Sequence, residues 1–349
     1  MKDNSRFRTI LKSSVFFALM IIITFYILLK DNSAKMLLES FRNVNPYYIL
    51  IAVICMGLFI SFEGINIFRN LNILGYNVGF FKGVKYALIG FFFSSVTPSA
   101  SGGQPMQIYY MKKDNIDISH GAVALLTELA SYQINTIFIS LLAFFLKFDF
   151  FTSKIGNIKY LLFFGISINM IGFIFILSAL FCENFMNKAV GIVVKILEKC
   201  KYKNVLKFKL KATEQLNEYR AGALYIKKNK VALIKTIFIT FMQLIFMYAV
   251  TFFVYKAFSL EGYSITDVIG IQAVLYSSVA ALPLPGGVGV SEGGFLSLFK
   301  FIYPTTLVEA GMLVSRGINF YLFVLISGVS IIFFQFKYWE NKKAKEPAV

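Results

Sequence analysis

Three ionisable residues stand where an apolar helix should hold none: Glu128, Glu292 and Arg316. A charge at the centre of a membrane helix costs roughly 2.5–3.5 kcal/mol on insertion scales, which makes such residues functional candidates by default. Arginine offers a planar fork of donors that can clamp a phosphate or carboxylate with two bonds. Glu128 and Glu292 suit a cationic substituent, or balance the arginine. Glu292 can pair with Arg316, or Arg316 with Glu128, and the sequence leaves both open. An ion pair that only fixes helix register is the structural alternative. Glu63, at the end of another apolar run, reads as interfacial.

Two breaks accompany these charges, Val96-Thr97-Pro98-Ser99-Ala100-Ser101-Gly102-Gly103-Gln104-Pro105 and Leu282-Pro283-Leu284-Pro285-Gly286-Gly287-Val288-Gly289-Val290. Pro98, Pro283 and Pro285 end the incoming helices, because proline cannot donate the helical bond and restricts the residue before it. Gly102, Gly103, Gly286, Gly287 and Gly289 accept positive φ and let backbone approach a ligand. The half-helices that start after each break offer N–H groups and a partial positive charge, which suits a phosphate. Paired interruptions in two halves of a membrane chain point to a translocation site near the bilayer midplane, since unwound backbone is tolerated there only around a protein-lined cavity. Kinking without any ligand is the alternative.

Other chemistry finds little support. Gly289-Val290-Ser291-Glu292-Gly293 fits the G-x-S-x-G elbow, but that elbow needs a strand-to-helix turn and a histidine partner, and the single histidine, His120, lies far off. The stretch from Gly286 to Gly294 fails the dinucleotide-binding pattern. Asp114 and Asp117 beside His120 read as a solvated loop and helix cap. Cys55, Cys182 and Cys200 show no paired spacing, so no disulfide framework, metal or cofactor is expected.

The elements that must position these residues are membrane helices. The chain is 57% hydrophobic and 15% charged, with 40 Phe and 19 Tyr, more apolar surface than one soluble core could bury. Runs near the roughly 20 residues needed to cross about 30 Å of hydrocarbon lie at Ser13 to Leu29, Tyr47 to Phe62, Ser119 to Leu146, Ile158 to Phe181, Val231 to Phe258 and Leu307 to Phe334. The net charge of +17 is concentrated in a few loops, which records orientation rather than nucleic-acid binding. Basic residues at both ends and twelve Lys or Arg against four Glu between Cys182 and Lys230 put both termini and that linker in the cytoplasm.

The expected fold is an all-α polytopic membrane protein with six full spans and two re-entrant broken hairpins in an inverted repeat. The first membrane half covers residues 1–181 with re-entrant segment 86–111. A basic linker, 182–230, joins it to a second half, 231–349, with re-entrant segment 268–303. Glu128 and Arg316 each lie about 14 Å along the helix that follows a break. The linker reads as two amphipathic helices resting on anionic lipid, with Met186, Val190, Val193, Val194 and Leu197 on one face and Val205, Phe208, Ala212 and Leu216 on the other helix. Met36, Leu37, Phe41 and Val44 suggest a smaller interfacial helix on the outer side.

On these residues the chain resembles the lysylphosphatidylglycerol synthase transmembrane family, the flippase-like membrane region of multiple peptide resistance factors. The resemblance rests on Pro98, Gly102, Gly103 and Gln104, then Glu128, then Pro283, Pro285, Gly286, Gly287, Gly289 and Glu292, and on Arg316. Met106, Gln107 and Leu129 depart from common relatives. The resemblance implies movement of a phospholipid, such as aminoacyl-phosphatidylglycerol, between leaflets of a bacterial plasma membrane, with those residues lining the path. It also carries a phosphatidylglycerol lysyltransferase activity and cationic peptide resistance as an alternative. The acyltransferase domain of full-length resistance factors is not expected, the chain ending soon after its last span and the linker being too short. A membrane scaffold for a lipid or glycan synthase is a further alternative.

Overall fold

The computed structural model of the chain describes residues 42, 44–154, 158–200, 205–279 and 284–343. The expected first span Ser13 to Leu29, the interfacial residues Met36, Leu37 and Phe41, and Pro283 lie outside the described residues. Helix α1 (Pro46–Ile73) is followed by α2 (Phe80–Val96), a 3₁₀ turn Pro98–Ala100, α3 (Gly103–Lys113), α4 (Ile118–Leu146), α5 (Phe148–Lys154) and α6 (Ile158–Phe181). The linker forms α7 (Glu183–Lys199) and α8 (Val205–Lys228). Then come α9 (Lys230–Ala257), α10 (Ile265–Val279), a 3₁₀ turn Pro285–Gly287, α11 (Val290–Phe299), α12 (Val308–Arg316), a π-helical stretch Gly317–Leu322 and α13 (Phe323–Lys343). No strand occurs among the described residues.

Five helical stretches are long and apolar enough to cross a membrane: Pro46–Ile73, Ile118–Leu146, Leu162–Phe181, Lys230–Ala257 and Val308–Phe336. They coincide with the five expected spans that fall in the described residues. The protein is an all-α, multi-pass membrane protein. Its element order runs twice: a 28-residue helix, a broken hairpin and a long helix that follows it, α1 to α4 and then α9 to α13. The two 28-residue helices pack along one another as the most extensive helix pair.

The breaks form where the sequence forces them. Pro98 holds Thr97 extended, at φ −117° and ψ 144°, and α2 stops there. The Thr97 hydroxyl donates to the Phe93 carbonyl at 2.6 Å and accepts the Gly102 N–H at 2.9 Å, so one side chain bridges the end of α2 and the start of α3. The chain turns back on itself: α2 packs against α3, and α10 against α11. Glycine allows this fit, because a Cβ on Gly103 would lie 2.1 Å from Ser94 Oγ. The two 3₁₀ turns touch, so the tips of both hairpins meet.

Buried amides fasten the spans. Asn66 of α1 donates to Thr240 Oγ1 of α9 at 2.9 Å. Asn70 donates to the Ala124 carbonyl of α4 at 3.2 Å and accepts from Thr236 of α9 at 3.1 Å, joining three helices. Such bonds between membrane helices are worth about 0.6–2 kcal/mol each. Asn70→Leu is therefore expected to lower stability by about 1–2 kcal/mol, read as an earlier unfolding midpoint in detergent.

The linker helices form as expected, but α8 does more than rest on a surface. Leu216, Tyr219, Ala223 and Ile226 of α8 cluster with Val123 of α4, with Met186 and Val190 of α7 packed against them. Tyr219 donates to the Ala179 carbonyl of α6 at 2.9 Å, and Glu218 accepts from Ser119 Oγ at 3.0 Å near the start of α4. This apolar face, spaced three and four residues apart, docks on protein. Val193 departs from its expected companions: with Ile192 and Ile196 it is exposed on the other side of α7.

Candidate functional site

The second break carries the densest polar geometry. Gly286, Gly287 and Gly289 have φ of 58°, 63° and 88°, a region closed to most side chains. The turn leaves the Gly286 carbonyl facing Arg316, whose Nη2 donates to it at 3.0 Å. Arg316 Nε donates to Glu292 Oε1 at 2.9 Å, and Tyr321 donates to the same oxygen at 3.2 Å. The other oxygen, Oε2, accepts the Gly289 N–H at 2.7 Å. Of the two pairings the sequence left open, the structure takes Glu292 with Arg316.

The arginine is also held from below. Its guanidinium carbon lies 4.4 Å from the Phe320 ring centre and 5.9 Å from that of Tyr321, within cation–π range. Both rings sit in the π-helical stretch that follows α12, where one wider turn re-aims side chains, a departure frequent at functional sites. The pair is mostly buried, the Glu292 and Arg316 side chains keeping 4% and 12% of their surface accessible. A charge pair this dry holds only when its remaining bonds are satisfied, and each partner here has a further one.

At each half-helix start one N–H is already taken within the chain, that of the residue just before the helix. The Gly102 N–H is taken by Thr97, and the Gly289 N–H by Glu292. The sequence supplies its own acceptors because a helix start buried without partners is costly. Around the first break, Pro98, Ala100 and Ser101 are exposed, Gly102 and Gln104 half-buried, and Gly103 buried. Contact between the tips brings this turn beside Gly286 and Gly287.

Glu128 belongs to a different group. It is buried on α4, which packs against the helix that bears Glu63, α1. Asn66 and Asn70, which made the apolar run look finished, are buried against α9 and α4, so α1 continues to Ile73 and Glu63 lies well inside it. Gln107 donates to Glu63 Oε1 at 3.3 Å and to the Tyr86 carbonyl at 3.1 Å. Residue-by-residue reading passed over Tyr132, Tyr276 and Tyr321. The four-residue spacing of Glu128, Tyr132, Thr136 and Ser140 was the available signal, one of several polar rows on a helix that also carries Thr127, Ser131, Gln133 and Asn135.

Ser291 stands in the first turn of a helix, and the described residues contain no strand to build an elbow. His120 bonds to Tyr76 at 2.9 Å, and Tyr76 donates to Asp117 Oδ2 at 2.7 Å. Burial pushes the Tyr76 phenol up to about 12, so it stays a donor at neutral pH. Asp114 pairs with Lys85 at 2.7 Å and accepts from Tyr86 at 2.6 Å. No group of three or more His, Cys, Asp or Glu side chains that could hold a metal occurs among the described residues.

Comparison with known proteins adds a family. Residues 10–327 match the family model described as lysylphosphatidylglycerol synthase TM region. A UPF0104 membrane protein of Archaeoglobus fulgidus is 21% identical over 321 residues, covering 87% of this chain and 92% of the relative. A UPF0104 membrane protein of Methanocaldococcus jannaschii is 25% identical over 315 residues, covering 87% and 89%.

Proposed function

This chain belongs to the lysylphosphatidylglycerol synthase TM region family, and from that premise we propose that it is a lipid translocase of the bacterial plasma membrane. It moves a phospholipid such as aminoacyl-phosphatidylglycerol between leaflets. The observation that carries this reading is the meeting of two hairpin tips beside the buried Arg316–Glu292 pair. Unwound backbone and a desolvated guanidinium gathered at one place suit the polar end of a lipid whose acyl chains stay in the bilayer.

Glu292 acts as the resting anion. Its carboxylate occupies Arg316 and the Gly289 N–H, the donors a phosphate would use. An arriving phosphate exchanges with it, taking the arginine fork while Glu292 turns to a cationic substituent on the same headgroup. The glycine turns with Gln104, Gly102 and Gly103 line the path. Both termini and the basic linker face the cytoplasm, with Ile192, Val193 and Ile196 of α7 seated in the anionic leaflet.

A leaflet-resolved assay in proteoliposomes tests this. Charge-assisted bonds of the kind Arg316 makes are worth about 1.5–3 kcal/mol, so Arg316→Ala should slow translocation by about 10- to 100-fold. Arg316→Lys, which keeps the charge and loses the fork, should fall between. A folded Arg316→Ala protein that moves lipid at the parent's rate refutes the role. Lysyl-lipid made from lysyl-tRNA by the purified chain would favour transferase chemistry instead.

A further inference from the structure

The interior holds a second polar assembly that headgroup binding leaves unused. Glu63 of α1 and Glu128 of α4 stand on helices that pack together, joined one turn before Glu128 by the Asn70 bond to the Ala124 carbonyl, while Arg316 is committed to Glu292 and Lys85 to Asp114. Arg69 lies about 9 Å further along α1. Gln107 of α3 supplies an amide to Glu63. Glu128, 8% exposed, has no hydrogen-bond partner among the described residues.

A row of hydroxyls leads away from Glu128 along one face of α4, at Tyr132, Thr136 and Ser140. The Tyr132 oxygen is 2.7 Å from that of Tyr276 on α10. The Tyr248 ring of α9 lies 5.8 Å from that of Tyr276. The hydroxyls of Tyr248 and Thr136 neighbour one another. Both residues are at most 1% exposed, and neither hydroxyl has a well-formed hydrogen bond among the described residues. Buried polar groups in that position are usually satisfied by bound water. Glu63, Tyr132 and Tyr276 keep accessible surface although their neighbours come from several helices.

We propose that Glu63 and Glu128 form a proton-binding site, that the Tyr132, Tyr276, Thr136 and Tyr248 hydroxyls with their water connect it along α4, and that lipid movement is coupled to the proton it carries. The inference rests on the translocase reading. Two carboxylates on packed helices in an apolar interior repel, and one bound proton removes half the charge at the smallest steric cost. A divalent ion would need more oxygen ligands than this pair provides. On loading, an O–H bond forms at a carboxylate oxygen as one breaks in a donor water. On release, that bond breaks as the next oxygen in the row accepts the proton and passes on its own. Nothing is oxidised or reduced.

The test uses the full chain in proteoliposomes with a fluorescent phosphatidylglycerol and an imposed pH gradient. The wild-type translocation rate should change severalfold with the gradient, and in Glu63→Gln and Glu128→Gln the ratio of rates with and without it should fall to one. A wild-type rate indifferent to the gradient overturns the coupling while leaving translocation intact, as does a sodium gradient that replaces the pH gradient. If no phospholipid moves under any condition the translocase reading fails, and the site is judged by infrared spectra on deuterium exchange. A protonated-carboxyl band lost in either variant supports the proton site, and its absence from the wild type overturns it.

Discussion

Glu292→Ala is expected to destabilise the protein by about 3–5 kcal/mol, the usual consequence of leaving one partner of a buried ion pair alone. Three donors lose their acceptor at once: Arg316 Nε, the Tyr321 hydroxyl and the Gly289 N–H. The guanidinium keeps only the Gly286 carbonyl among these bonds, and the start of α11 loses its cap. Denaturation in detergent should show the loss directly. The double variant Glu292→Ala/Arg316→Met should recover most of it, because removing both charges leaves no unpaired charge in the interior. Recovery of stability without recovery of lipid movement would separate the two roles of the pair. A Glu292→Ala loss below about 1 kcal/mol would mean that water reaches Arg316 freely, and the resting-anion role would fall.

That the pair had to be seen rather than read shows where the sequence stops being legible. Hydropathy found every span in the described residues because helices in hydrocarbon must be long, apolar and internally bonded. Proline and glycine found both breaks because they act on their own backbone, and Thr97 takes the extended conformation that Pro98 imposes. Partners are another matter. Glu292 and Arg316 are separated by 24 positions and meet only because α11 and α12 pack together. The reach of α1 beyond Phe62 was hidden because Asn66 and Asn70 look like a helix end until their partners on α9 and α4 are known. The stripe from Glu128 to Ser140 was legible as spacing, but its Tyr276 and Tyr248 neighbours were not.

Gly286→Ala should be among the most damaging single-atom additions in the chain. A Cβ there would lie 2.0 Å from Phe320 Cζ and within 3.0 Å of two further ring atoms, so the ring must move. The new residue must also hold φ of 58°. Left-handed backbone costs about 1–2 kcal/mol for a residue with a Cβ, and overpacking typically adds about 1–3 kcal/mol, for a combined loss of about 2–5 kcal/mol. Gly289 separates the two contributions. At φ 88° and ψ −49° its backbone is foreign to alanine as well, but a Cβ there meets nothing within 4 Å, so Gly289→Ala should show only the strain. In Gly286→Ala/Phe320→Leu the steric part should be relieved while the strain remains. Phe320 also carries Arg316 on its face, so displacing the ring pulls the guanidinium from Glu292. Lipid translocation in proteoliposomes should therefore fall further in Gly286→Ala than in Gly289→Ala, by more than their difference in stability. Equal losses in the two variants would show that the turn serves as a bend alone, with no part in holding the arginine.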